Sequence, residues 1–208
     1  MADLTPAPHG VAINEARTGF MNRAWVQWFD DIRTRMSDGH KSLLDVTVSS
    51  DTTLDIKTNI TSDYEHYKLV LQDILVTQPS DLMNIRVSLD TGSTFESATD
   101  DYTRLLETNT GSIAVTNDDL DSELTLNASG LGNTSSSMIN GVIEFFTPSN
   151  TINGKFFRWN LSYKNDSGTL VLTKGTGLYN GTGAFDALRL YLNAGTFISG
   201  KYKLYGVR

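Results

Sequence analysis

Tyr67-Lys68-Leu69-Val70-Leu71-Gln72 is the stretch that decides the fold. Tyr67, Leu69 and Leu71 alternate with Lys68, Val70 and Gln72. Side chains spaced by two share one face of a strand, so this segment buries one face and offers the other to water. The same period runs outward in both directions. Leu54, Ile56 and Thr58 alternate with Asp55, Lys57 and Asn59, and Ile85, Val87 and Leu89 alternate with Arg86 and Ser88. Comparable runs lie at Leu124 to Leu126, Val142 to Phe146, Phe156 to Tyr163, Leu170 to Leu172, Leu188 to Leu192 and Tyr202 to Val207. About ten strands separated by Gly, Asn, Asp and Ser clusters predict a mainly β chain, an antiparallel jelly-roll-like sandwich.

Residues 20 to 36 carry a different period. Met21, Ala24, Trp25, Trp28, Phe29, Ile32 and Met36 recur at helical spacing, with Asp30, Asp31, Arg33 and Arg35 between them. This predicts one amphipathic helix, stopped near Gly39. Pro6, Pro8, Gly10 and Gly19 punctuate the segment before it, which reads as an extended arm. The chain thus divides into residues 1–40, arm and helix, and residues 41–208, the sandwich. Two Trp and a Phe on one short stripe either cover an open face of the sandwich or dock on another chain. The arm favours docking, and Met21, Trp25, Trp28, Phe29 and Ile32 are the expected contact residues.

Composition narrows the function. The 208 residues hold no cysteine, which excludes disulfides and thiolate zinc sites. A formal charge of −7 without a Lys/Arg cluster argues against a nucleic-acid partner. No apolar run reaches the ~18 residues of a membrane helix, so no membrane insertion is expected. The N-terminus has no basic region followed by an apolar core, so no signal peptide is expected either. Asn-x-Ser/Thr triplets, including those at Asn59, Asn133, Asn160 and Asn180, are what chance supplies in so Asn- and Thr-rich a chain.

Catalytic patterns do not emerge. His9, His40 and His66 lie far apart, without metal-ligand spacing. The Gly-x-Ser-x-Gly elbow is absent. Asp118, Asp119, Asp121 and Glu123 lack calcium-loop spacing and read as a solvated acidic loop. Ser88 to Phe95 fits S-x-D-x-G-x-T-F/W, a turn pattern of sialidase-like propellers. It occurs once, whereas propellers repeat it blade by blade. The expected role is a hairpin clip in which Asp90 accepts turn amides, Gly92 supplies positive φ and Phe95 packs beneath. The expectation is therefore a protein without enzymatic activity, cofactor or metal. Trp159, Tyr163, Tyr179, Tyr191, Tyr202 and Tyr205 read as core or cross-strand aromatics in preference to a sugar platform. Thr108 to Ser122 and Ala128 to Ser137 are expected as exposed loops.

Arg17-Thr18-Gly19-Phe20-Met21-Asn22-Arg23-Ala24-Trp25-Val26-Gln27-Trp28-Phe29 resembles an N-terminal stretch of tailed-bacteriophage structural proteins. There a short aromatic helix follows an extended arm. Tyr64 to Ile74, Ile85 to Phe95, Ala187 to Leu190 and Ile198 to Gly206 resemble a β module of phage tail and virion-appendage proteins. The resemblance implies a virion localisation, as a tail-fibre, collar or head-spike component. It implies attachment to other virion proteins through the N-terminus and a homo-oligomer, commonly a trimer. Host attachment through a surface glycan would follow from such a position. A carbohydrate-binding module without a virion role is the alternative.

Overall fold

The computed structural model describes Pro8, residues 21–29 and residues 39–207. The chain divides into two compact units, Met1–Lys41 and Ser42–Arg208. In the first unit, residues 23–29 are helical. Asn22 starts this helix: its carbonyl accepts from Trp25 and Val26, and its Oδ1 accepts from the Ala24 amide at 2.9 Å. That is the bond by which an N-cap side chain satisfies one of the free amides of a first turn. Ile32 and Met36 lie outside the described residues.

The second unit is built of antiparallel strands: β1 (Lys41–Asp51), β2 (Thr53–Ile56), β3 (His66–Val76), β4 (Met83–Ser88), β5 (Tyr102–Asn109), β6 (Ile113–Asp121), β7 (Leu124–Thr125), β8 (Ile139–Phe146), β9 (Lys155–Lys164), β10 (Leu170–Tyr179), β11 (Ala187–Leu192) and β12 (Phe197–Val207). They form an eight-stranded sheet in the order β1-β12-β3-β8-β9-β10-β5-β6 and a four-stranded sheet in the order β2-β11-β4-β7.

The period-two reading explains the burial. Along β9, Phe157, Trp159, Leu161 and Tyr163 are buried, while Phe156, Arg158, Asn160 and Ser162 are exposed. Residues of both sheets share one hydrophobic core, with Tyr67, Leu69, Phe145 and Phe157 from the larger and Leu54, Ile85, Val87, Leu188 and Leu190 from the smaller. Polar bonds also join the sheets. Tyr102 Oη on β5 accepts from the Val87 amide on β4 at 2.9 Å and donates to the Glu96 carbonyl at 3.3 Å. The Trp159 indole on β9 donates to the Leu126 carbonyl, next to β7, at 2.9 Å. Trp159 lies where it does because its cross-strand neighbour is Gly175. A Cβ at Gly175 would stand 2.1 Å from Trp159 Cζ2, so only glycine leaves room for the ring.

One of the two expected loops takes a different form. Thr108 to Ser122 is mostly a hairpin: β6 pairs with β5 from Ile113↔Asn109 to Asp121↔Tyr102. Asn117-Asp118-Asp119, read as loop composition, sits within β6, where Asp118 is held by Arg104. Ala128 to Ser137 is irregular but anchored. Leu131 is buried and bridges both Asp81 and Asn165. The Asn127 side chain just before it donates to the Ser129 carbonyl.

Candidate functional site

Three surfaces carry the side chains that chemistry could use. The first is the helix of the N-terminal unit. Trp25, Trp28 and Phe29 stand at i, i+3 and i+4 and touch one another, with ring centroids 5.1 to 6.0 Å apart. Phe29 and Met21 are exposed, and both Trp rings are half-buried. Edge-to-face contacts hold the cluster as one apolar knob.

The second is the loop after β4. The Asp90 carboxylate accepts from the Thr94 amide (2.8 Å), the Ser93 amide (3.1 Å), Thr94 Oγ1 (2.8 Å) and Ser88 Oγ (2.7 Å). These bonds, the Thr94 amide foremost, hold its pKa down at about 2. Thr91 and Gly92 both adopt positive φ, 59° and 79°. The Gly92 amide donates to Ser88 Oγ, and the Thr91 amide reaches Asp186 Oδ1. The loop delivers Phe95 against the smaller sheet, where the Arg189 guanidinium lies 4.0 Å from its ring centroid. Asp90 is saturated by turn donors, so it is positioned to organise the loop and not to exchange protons with a substrate.

Phe95 belongs to a cluster that sequence reading did not single out. On the outer face of the smaller sheet, Arg189 makes two 2.7 Å bonds to Asp55. Its register neighbour Arg86 bonds Glu123 at 2.9 Å and stacks over Tyr191 at 5.1 Å. Tyr191 Oη also donates to Glu123, and burial is the chief cause that pushes this phenol's pKa up. Beside them lies a recess of about 250 Å³, reached by Thr52, Thr53 and Asn193. Asp55, Arg86 and Arg189 occupy outward positions of their strands, which is the signal that could have marked them. Their pairing spans 134 residues of chain and leaves no local pattern.

The third surface is a groove of about 860 Å³ on the outer face of the eight-stranded sheet. Two register rows form it. One runs Lys68, Glu144, Arg158, Thr176, Leu105, and the next runs Val142, Asn160, Lys174, Glu107, Val115. Glu144 accepts from Arg158 Nη2 at 2.6 Å and faces Lys68 and His66, each at 3.6 Å. Burial raises its pKa, but the Arg158 bonds and the neighbouring charges outweigh it and leave the carboxyl lowered. Glu107 is paired with Lys174 at 3.2 Å. Both acids are thus ion-paired.

Of the aromatics named from sequence, Trp159, Tyr163, Tyr179 and Tyr202 are buried; Tyr191 and Tyr205 are half-buried. Met21, Trp25, Trp28 and Phe29 belong to the first unit, and Asp90, Gly92 and Phe95 to the second; Ile32 lies outside the described residues. Among the described residues, no group of three or more His, Asp or Glu is placed to hold a metal, and no helix is long and apolar enough to cross a membrane. No protein-family model and no curated protein matches the chain.

Proposed function

We propose that this chain is a non-enzymatic structural component of a bacteriophage virion, a multicopy surface appendage docked through its N-terminal segment, with a jelly-roll sandwich as its displayed body. The observation that carries the reading is the strand order. Setting aside β5, β6, β9 and β10, the sheets read β1-β12-β3-β8 and β2-β11-β4-β7. Strands alternate between the sheets as the chain advances, except that β4 and β7 both lie in the smaller one, and first and last strands become neighbours. This order supports an eight-stranded jelly-roll reading, an architecture used by viral capsid and lectin domains. The other four strands then act as two hairpin insertions that widen one sheet and build the groove. The division after Lys41 and the exposed Met21 and Phe29 support a separate docking segment. Fold alone does not fix function, and the virion assignment rests on the N-terminal resemblance together with this architecture.

The test is removal of residues 1–40. The truncated chain is expected to keep its β circular dichroism and to lose incorporation into particles. Particles that still carry it would refute docking through this segment. A second reading, a free carbohydrate-binding module, is favoured by the Arg86, Arg189, Tyr191 and Phe95 recess. On that reading the same truncation leaves glycan-array binding unchanged and no particle carries the chain.

A further inference from the structure

We propose that β6 is a self-association strand, through which two copies join their eight-stranded sheets edge to edge about a two-fold axis. Among the described residues, β6 is the last strand of its sheet and pairs with β5 alone. It is nine residues long, and its apolar side chains stand in solvent: Ile113 is 65% exposed and Val115 63%. The inward-side positions Ala114 and Thr116 are exposed as well. An edge this open presents unpaired amides and carbonyls to any strand that can reach it. Such edges are ordinarily blunted by charge, proline or a bulge.

The blunting here covers only one half. Register slips between Arg104↔Asp118 and Tyr102↔Asp121, and Leu120 within the slip has φ of 66°. This bulge, with Asp118, Asp119 and Asp121 around it, spoils the C-terminal half of β6 as a partner. Ile113-Ala114-Val115-Thr116-Asn117 stays regular and uncharged.

Charge limits the registers in which a second copy can pair. In a chain of net charge −7, a second copy is tolerated only where the acids stay apart. An antiparallel pair centred on Val115 sets Ile113 opposite Asn117, Ala114 opposite Thr116, and Val115 opposite itself. Asp118 then faces Ser112 and Asp119 faces Gly111, so no carboxylate meets another. Centring the pair on Asp118 would instead bring two acids directly together. The uncharged segment is therefore self-complementary about Val115 in a register that keeps its acids apart, which is the requirement for an isologous contact. Val115 also closes one end of the outer-face groove, with the exposed Leu105 in the neighbouring row. Pairing joins the two grooves end to end along a continuous sheet and covers apolar side chains on both copies. The inference does not depend on the virion reading.

The experiment is sedimentation velocity on the full chain across a concentration series. Wild type is expected to show a monomer–dimer equilibrium. Val115→Lys places two ammonium groups face to face at the axis and is expected to sediment as a monomer with unchanged circular dichroism. Leu120→Lys changes an equally exposed residue in the bulge and is expected to dimerise like wild type. A monomeric wild type, a trimer, or a Val115→Lys protein that still dimerises overturns the proposal. So does loss of the dimer in Trp28→Ala with Val115→Lys unaffected, which would move self-association to the N-terminal unit and leave the docking reading intact.

Discussion

Gly175 and Trp159 should show a strong, compensating coupling. Gly175→Ala puts a methyl 2.1, 2.5 and 2.7 Å from three atoms of the Trp159 six-membered ring, inside the closest approach of real Cβ atoms. Overpacking of this kind costs about 1–3 kcal/mol, and a fully buried ring between two sheets sets the upper end, about 3. Trp159→Phe removes the benzo ring that the methyl strikes. It loses three heavy atoms of buried surface, about 2 kcal/mol, and the hydrogen bond to the Leu126 carbonyl, about 1 kcal/mol. That carbonyl keeps Thr173 Oγ1 as a donor at 3.2 Å, so it is not orphaned. Independent effects would sum to about 6 kcal/mol. In the double variant the added methyl instead enters the space the indole vacates, so the pair of changes should cost about 3–4, a coupling of about 2–3 kcal/mol. Urea denaturation followed by far-ultraviolet circular dichroism measures all four corners of the cycle. Additive costs would refute the claim that Gly175 exists to admit the Trp159 ring.

Gly92→Val should destabilise the fold by about 1–3 kcal/mol in urea titration, because φ is 79° and a Cβ there meets the Lys57 stem at 2.9 Å; an unchanged midpoint contradicts the hairpin-clip role. Asp90 is held at a pKa of about 2, below its unfolded value of about 3.9. Its contribution is therefore present above pH 4 and lost as pH falls through 2. Asp90→Asn should flatten that acid limb of the stability profile, and parallel limbs would sink the assignment. Tyr102, Tyr163, Tyr191 and Tyr202 have raised pKa values and Tyr179 is pushed up to about 12, burial being the leading cause in each. Their stabilisation is whole below the unfolded value near 10 and lost as pH rises beyond it. Phenolate absorbance from these five of the eight tyrosines should accordingly appear cooperatively with unfolding; gradual ionisation of all eight near pH 10 in a folded chain would contradict their burial.

The strands that sequence exposed are those with one face in the core. Along β9, and along β3 and β12 outside their bulges, the buried residues fall on every second position, so the pattern is direct. β6 escaped because, among the described residues, nothing covers either of its faces: Ile113, Ala114, Val115 and Thr116 are all exposed, and alternation has nothing to record. β5 escaped because Leu105 and Leu106 are consecutive apolar residues on opposite faces, one exposed and one buried. Ala128 to Ser137 looked like a free loop from its polar composition. Its order comes from Leu131, which bridges Asp81 and Asn165, residues 50 positions back and 34 ahead. The Asp90 loop was legible because all its partners but Asp186 lie within four residues. The Arg86–Glu123 and Arg189–Asp55 pairs were not, because only the packing of distant strands brings them together.

Copy counting in purified particles tests the central claim most directly. On the proposed reading, quantitative mass spectrometry of bacteriophage virions should find this chain at several copies per particle. The count should fall to background when Trp28 is replaced by Ala, while the soluble protein in the lysate stays folded and at its normal level. A chain absent from wild-type particles, or one incorporated at the same number after Trp28→Ala, would contradict the account of a virion component anchored through its N-terminal aromatic helix.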